Sequence, residues 1–342
     1  MATLDDTGHD SKIRRLLAPH AGGEHSGGAS FALDLDPRLI DHGGEMVTRA
    51  ELALALNACL FNDLLGRVPT AAKYVAEVAE EGAAIVFDHG ALRTIEGPTG
   101  ALPSGFAAFA RILEPLGYEA AAVYPLPRLK MTGRAFVHRD FPETIPQFFV
   151  SELHIEQLPK EAQAAASRVF ASSKDPLGPE AVEALDRLAR DGALPLPDAK
   201  VLLKACLAAF QRQHPALSLE DYETLLVHSK EAAWIATEGN AFNHATARVP
   251  DVEALARRLK TEGYPMKDRI EVSANGRVRQ TAILADKVLR TFHLADGNKV
   301  ERAGPGSFFE FITRDVDPAT GRLDLTFDSG NATGIFAVTR GG

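Results

Sequence analysis

The spacing of apolar positions changes several times along the chain and separates helical parts from strand-forming parts. Residues 48–65 begin with Thr48, have Glu51 three positions later and continue with apolar residues at helical spacing, which is the signature of a capped helix. Residues 69–80 open with proline and repeat the helical spacing. The pattern therefore predicts an N-terminal helical cap over residues 31–82.

After the cap, the pattern predicts a strand followed by a helix and several further strands, and it does so twice. Over residues 83–158 these are AAIVFDHGALRTI, the helix SGFAAFARILEPLGY, EAAAVYPL, RAFVHRDF and QFFVSELHI. Residues 159–239 are polar and rich in alanine, which predicts a helical insertion. Strand patterns return over residues 240–342 as NAFNHATARV, the helix VEALARRLKTEGY, DRIEVS, RQTAILADKVLRTF, SFFEFITRD and RLDLTF.

The return of the pattern is an internal repeat. FARILEPLGY at 109–118 and LARRLKTEGY at 255–264 share five of ten residues. Two unrelated amphipathic helices that both end at a glycine would look similar, because glycine commonly supplies the C-terminal left-handed conformation. However, a histidine precedes each helix and a Phe-Phe strand follows each. We therefore predict an α+β fold with a core of two paired βαβββ modules.

Pairing of the two modules would present four equivalent positions to one cavity, namely His89, Val150, His244 and Glu310. Two imidazoles and one carboxylate, with an apolar fourth position, form the ligand set that leaves open coordination sites on Fe(II). The same donors also suit Mn, Co, Ni or Zn, so residue type does not select the metal.

Each ligand also has an ordinary structural interpretation. A histidine near a strand end is more often a hydrogen-bonded structural residue, and a carboxylate in an alternating strand usually faces solvent. Glu310 faces the cavity only if Phe309 and Phe311 face the helices. Among the competing histidines, His154 is the main rival; the full set is His138, His154, His228 and His293.

Two further side chains are candidate substrate contacts. Arg93, four residues after His89, could bind the carboxylate of an oxo acid with both arms of its guanidinium. A surface salt bridge, for example with Glu96, explains it equally well. Gln280 could supply an amide to the substrate or be a buried structural amide.

Composition excludes several classes of protein. The 342-residue chain has a net charge of −9 and no long run of Lys and Arg, which argues against nucleic acid as a partner. Only Cys59 and Cys206 are present, so neither a disulfide framework nor a cysteine-rich zinc site is available. No signal-peptide or membrane-span pattern is found, from which we expect a cytoplasmic protein without a membrane partner. Residues 1–30 are expected to be a disordered or loosely packed tail. The oligomeric state is not predicted.

Five segments together carry a resemblance to a known family: FDHGALRTI, FNHATARV, RQTAILADKV, PGSFFEFITR and FDSGNATGIF. They resemble the 2-oxoadipate dioxygenase/decarboxylase family, formerly a domain of unknown function, over most of residues 45–338. The resemblance implies a glyoxalase-like, vicinal-oxygen-chelate core with helical additions. It further implies that His89, His244 and Glu310 bind Fe(II), that Arg93 contacts the substrate carboxylate, and that Ser329 is a second substrate contact.

The same resemblance implies the reaction. The family's enzymes decarboxylate a 2-oxo acid with dioxygen and convert 2-oxoadipate to 2-hydroxyglutarate, without 2-oxoglutarate as a cosubstrate. This chain is shorter than the long family members, so its preferred oxo acid is left open. Two alternatives stay open as well. A glyoxalase-like isomerase or hydrolase would need a general base, and a fourth ligand would favour it. A non-catalytic small-molecule-binding protein would need no ligand-type residues at these positions.

Overall fold

A computed structural model of the chain describes residues 3, 11–20, 33–40 and 43–328. The helices are α1 (Lys12–Leu17), α2 (Arg49–Arg67), α3 (Pro69–Glu80), α4 (Ala107–Leu113), α5 (Lys160–Phe170), α6 (Pro179–Asp191), α7 (Leu196–Ala209), α8 (Leu219–His228), α9 (Lys230–Glu238) and α10 (Val252–Thr261). The strands are β1 (Met46–Thr48), β2 (Val86–Glu96), β3 (Tyr118–Leu126), β4 (Met131–His138), β5 (Gln147–His154), β6 (Ala193–Pro195), β7 (Phe242–Arg248), β8 (Glu271–Val272), β9 (Val278–Ile283), β10 (Lys287–His293), β11 (Lys299–Pro305), β12 (Phe308–Arg314), β13 (Val316–Asp317) and β14 (Arg322–Leu323).

The central sheet has eight strands in the order β3-β4-β5-β2-β7-β12-β9-β8. Its two halves have the same internal order, because in each half the first strand of the module lies at the centre and pairs in parallel with the last strand. The two first strands, β2 and β7, run antiparallel to each other where the halves meet. The predicted α+β fold with two paired βαβββ modules is confirmed.

The second module contains a hairpin that the sequence pattern missed. RQTAILADKVLRTF was predicted as one strand, but it forms β9 in the central sheet and β10, which pairs with β11 in a separate two-stranded sheet. The chain leaves the central sheet near Asp286, whose carboxylate accepts hydrogen bonds from the hydroxyl and the amide of Thr70 at 2.6 and 3.1 Å. These bonds tie the break to the start of α3.

One face of the central sheet packs against the helices. The ring of Phe309 lies 6.0 Å from that of Phe61 in α2, and the ring of Phe311 lies 4.9 Å from that of Tyr74 in α3. Since side chains alternate along a strand, Glu310 points to the opposite face. We call this opposite face, which also carries His89 and His244, the ligand face.

The helical insertion serves two different parts of the core. Helices α6 and α7 share a hydrophobic cluster with α2 and α3, and the short strand β6 pairs with β1 just before α2. Helices α5, α8 and α9 form a second cluster with Leu153 of β5 and with Phe292 at the C-terminal end of β10. The insertion therefore extends the core at both places.

The expectation of a disordered or loosely packed tail over residues 1–30 is wrong for residues 11–20. Ser11 caps α1 by accepting a hydrogen bond from the amide of Arg14, and the apolar side chains of α1 are buried. Lys12 of this helix forms a 2.8 Å ion pair with the buried Glu51. The rest of the predicted tail, apart from residue 3, lies outside the described residues.

Both cysteines lie in helices. Cys59 is buried in α2 and Cys206 in α7. Within the described ranges, no helix combines the length and the apolar character needed to cross a bilayer.

Candidate metal centre

The three predicted ligands come together on the central strands of the sheet. His89 lies on β2 opposite Thr246 of β7, and Thr246 in turn lies opposite Glu310 of β12. His244 is two residues before Thr246 and so shares its face. The strand register therefore brings two imidazoles and one carboxylate to a single place on the ligand face.

The distances between the donor atoms suit one metal ion. His89 Nε2 lies 3.5 Å and His244 Nε2 lies 3.6 Å from Glu310 Oε2. All three donors lie within 4.8 Å of one another, and the three residues are at most 4 % exposed. Metal–nitrogen and metal–oxygen bonds of ~2.1 Å to one ion would require donors at about this separation.

Hydrogen bonds orient both imidazoles. His89 Nδ1 lies 2.8 Å from the carboxylate of Asp88, which leaves Nε2 on the side of Glu310. His244 Nδ1 lies 2.9 Å from the side-chain amide of Asn243, and its buried Nε2 has no hydrogen-bond partner among the described residues. A buried imidazole nitrogen aimed at a carboxylate and a second imidazole fits a metal ligand, since metal-bound histidines usually have their other nitrogen hydrogen-bonded.

The electrostatics of the site favour the ligand forms of His244 and Glu310. For His89, by contrast, burial lowers the pKa, but Asp88 and Glu310 outweigh the effect of burial and raise it above its usual value. Burial lowers the pKa of His244 to about 3, so its imidazole is neutral at pH 7. Burial raises the pKa of Glu310, but the two neighbouring histidines and Thr246 outweigh it and hold the pKa below its usual value. Neutral imidazole and ionised carboxylate are the forms that bind a metal.

The fourth equivalent position was assigned to the wrong residue. His89 pairs with Gln147 and Ala91 with Phe149, just as His244 pairs with Phe308 and Thr246 with Glu310. Phe149 is therefore the counterpart of Glu310, whereas Val150 points into the helix-side core. The two Phe-Phe strands are offset by one residue, which reverses the face of every side chain. The position is still apolar, so the expected set of three ligands is unchanged.

Of the three predicted substrate contacts, two lie on the ligand face and the third lies outside the described residues. Arg93 is 1 % exposed, lies on the ligand face and has its guanidinium 4.9 Å from the ring of Trp234. A surface salt bridge with Glu96 is therefore wrong. Gln280 is also buried and lies on the ligand face, diagonally across from Glu310. Ser329 lies outside the described residues.

Of the four competing histidines, three contact other protein groups and the fourth is exposed. His154 lies with Glu96 and Glu152 in a second cluster of donor atoms, but its Nδ1 contacts Glu96 and its Nε2 lies 2.8 Å from the Thr132 hydroxyl. Of the others, His138 bonds to the Leu116 carbonyl and His228 to a glutamate of α5, while His293 is exposed on β10.

Four residues around the site were not predicted. Thr246 donates a 2.8 Å hydrogen bond to Glu310, and its place two residues after His244 could have identified it. Asp88 would point away from His89 in a regular strand, but a bulge between Phe87 and His89 turns it back. The remaining two, Arg314 and Phe327, reach the site from distant positions in the chain, and no local pattern marks them.

The chain is similar to known proteins over most of its length. The family model for 2-oxoadipate dioxygenase/decarboxylase matches residues 62–323. A protein of that name from Mycobacterium bovis is 29% identical over 221 residues, which cover 61% of this chain and 52% of the relative. The chloroplastic protein of that name from Arabidopsis thaliana is 24% identical over 217 residues, which cover 57% of this chain and 51% of the relative. The matched region thus spans about half the length of these relatives.

Two solved structures share the fold. A putative glyoxalase superfamily protein from Ralstonia eutropha JMP134 is 50% identical with a TM-score of 0.88, and the match covers 93% of this chain and 98% of the other. The hydroxyglutarate synthase from Oryza sativa, solved in complex with 2-oxoadipate, is 22% identical with a TM-score of 0.68 and coverages of 85% and 93%. With the family model matching well over half of its residues, the chain belongs to the 2-oxoadipate dioxygenase/decarboxylase family.

Proposed function

We propose that this protein is an Fe(II)-dependent dioxygenase that oxidatively decarboxylates a 2-oxo acid, 2-oxoadipate or a similar one, to a hydroxy acid. The observation that carries the proposal is the buried set of His89, His244 and Glu310, in which His244 Nε2 faces the carboxylate and has no hydrogen bond to any described residue. Family membership supports the same activity. The proposed partners are the 2-oxo acid and dioxygen.

The donor set favours iron chemistry over the alternatives. Fe(II) held by two histidines and one carboxylate would supply open coordination positions for the 2-oxo acid and for dioxygen. Phe149 at the fourth equivalent position offers no ligand, which disfavours a four-ligand isomerase or hydrolase site. Mn, Co, Ni or Zn would suit the same donors in a purified sample.

The protein's own side chains would bind and shield the substrate. The planar guanidinium of Arg93 suits a carboxylate and is buried on the ligand face, close enough for its charge to act on His244. Gln280 would offer an amide to a polar substrate atom. The ring of Phe149 makes this side of the site apolar, which would help to exclude water. Ser329 is retained as a proposed second substrate contact.

Oxygen consumption would test the proposal. Protein loaded anaerobically with Fe(II) would be mixed with 2-oxo acids of four to eight carbons, alongside the His89→Ala variant and, as a matched control, His154→Ala from the competing cluster. We expect uptake that depends on the oxo acid, with equal CO₂ release, in the wild type and His154→Ala but not in His89→Ala. No uptake with any acid in iron-loaded protein would reject the dioxygenase activity.

A further inference from the structure

Arg314 connects two parts of the protein that lie far apart in sequence, the Asp88 carboxylate and the backbone near residues 324–326. It ends β12 on the ligand face, four residues after Glu310, and its side chain is fully buried. Its Nε and Nη2 atoms donate hydrogen bonds of 2.9 to 3.1 Å to the Asp88 carboxylate. Its Nη1 atom donates to the carbonyls of Asp324 and Thr326 at 2.9 and 2.8 Å.

The first of these, the Asp88 carboxylate, sets the orientation of the proposed metal ligand His89. Asp88 accepts from His89 Nδ1 while it is held by Arg314, and the bulge after Phe87 fixes its backbone. Burial raises the pKa of Asp88, but Arg314 and His89 outweigh burial and hold that pKa far below its usual value. A fixed carboxylate behind a histidine determines where the other ring nitrogen points.

The second structure is residues 324–328, which we call the covering segment. The ring of Phe327 lies edge-on to that of His89, 4.8 Å between centroids, and 5.0 Å from the ring of Phe149. The amide of Phe327 donates a 3.0 Å hydrogen bond to the hydroxyl of Tyr124. Arg314 also places its guanidinium 5.1 Å from the Phe327 ring. The segment therefore lies directly against a proposed ligand.

We propose that Arg314 is a positioning residue that couples the orientation of His89 to the docking of the covering segment. This inference rests on the metal site of the proposed function. One guanidinium serves both structures, and Phe327 touches the ring that Asp88 orients. Metal binding at His89 should therefore tighten the covering segment, and a docked segment should tighten metal binding by the same factor, because thermodynamic coupling is reciprocal.

Two measurements on the full chain would test the coupling. One is the affinity for Co(II), followed by its visible absorption, and the other is hydrogen exchange of the amides in residues 322–328 with and without Co(II). The variant is Arg314→Met. The matched control is Arg279→Met, which removes an arginine that pairs with Asp315 through two hydrogen bonds, of 2.6 and 2.8 Å, at a more exposed place on β9.

We expect Co(II) to slow exchange in the wild type and in Arg279→Met. Arg314→Met should bind Co(II) about tenfold or more weakly, as is typical when a residue that orients a ligand is removed, and Co(II) should no longer slow exchange in its covering segment. The inference would be overturned if a folded Arg314→Met bound Co(II) with unchanged affinity, or if Co(II) did not change hydrogen exchange in the wild type. Neither result would contradict the proposed metal site. A wild type that binds no Co(II) would overturn both.

A milder variant keeps the test decisive if Arg314→Met does not fold. Tyr124→Phe removes only the hydroxyl that accepts from the Phe327 amide. It should speed exchange in the covering segment and weaken Co(II) binding by a smaller factor. Faster exchange with unchanged Co(II) affinity would show that the segment and the metal ligand are not coupled.

Discussion

The imidazoles of His89 and His244 meet edge to face, 5.5 Å between ring centroids and 85° between ring planes. Each lies on the first strand of its module, and these strands are antiparallel neighbours at the centre of the sheet. The pairing of two similar modules thus creates the site, because it brings equivalent positions of both halves to one place. Glu310 completes the donor set from the last strand of the second module only.

We predict that metal binding depends on this donor set. His244→Ala should lose Co(II) binding, because it removes the buried Nε2 that faces Glu310. His154→Ala should bind one Co(II) per chain as the wild type does, since both nitrogens of His154 contact protein groups. Anaerobic titration followed by absorption would measure both. Loss of binding in His154→Ala alone would move the site to the Glu96, Glu152 and His154 cluster.

Arg93 should act on substrate binding. Arg93→Lys keeps the charge but loses the two-armed geometry, and Arg93→Met loses both. We expect kcat/KM for the preferred oxo acid to fall about tenfold or more in Arg93→Met, since hydrogen bonds to charged groups contribute about 1.5–3 kcal/mol, with a smaller fall in Arg93→Lys. Steady-state kinetics at saturating iron would measure this. Equal kcat/KM in all three proteins would remove Arg93 from the substrate site.

The sequence was sufficient to predict the sheet-forming modules and three residues that meet on one face. Alternation placed Glu310 opposite Phe309 and Phe311, and the repeat related His89 to His244. It was insufficient for the register of β5, because both Phe148 and Phe149 are apolar and a shift by one leaves the pattern unchanged.

Contacts between distant residues explain the other omissions. The bulge that turns Asp88 towards His89 depends on pairing with β7, and Arg314 reaches Asp88 across 226 positions of sequence. The β10–β11 hairpin was missed because the break at Asp286 is held by Thr70, far away in α3. Local periodicity contains none of this information.

Gly90 should be intolerant of any side chain. It lies between His89 and Ala91, and a Cβ there would come within 2.2 Å of the Phe242 ring. Gly90→Ala should lower the free energy of unfolding by about 1–3 kcal/mol, because the core would have to shift. Gly66→Ala, where a Cβ would meet no other described part of the chain within 4 Å, should have little effect or stabilise α2 by up to about 1 kcal/mol. Urea unfolding would compare them, and equal midpoints would contradict the prediction.

His138 should make the stability of the fold depend on pH. It is buried, its Nε2 donates to the Leu116 carbonyl, and its Nδ1 accepts from the amides of Asp140 and Phe141. Protonation would convert Nδ1 from an acceptor into an N–H donor, which would then face the two amide N–H donors of Asp140 and Phe141. Burial lowers the pKa of His138 to about 4; the Asp140 carboxylate and the bond to Leu116 oppose this shift, whereas the nearby arginines add to it.

The sign follows from the two pKa values of His138. With about 4 in the folded state and about 6.5 in the unfolded state, the unfolded chain binds more protons between these values, so stability falls as pH falls through that window. Above pH 6.5 the contribution of neutral His138 to the free energy of unfolding is fully present. At about 1.4 kcal/mol per pKa unit, the difference between 6.5 and about 4 corresponds to about 3 kcal/mol. The difference in unfolding free energy between wild type and His138→Gln should therefore shrink from pH 7 to pH 5, measured by urea unfolding in buffers of equal ionic strength. A difference that stays constant over this range would show that His138 is not held neutral by the fold.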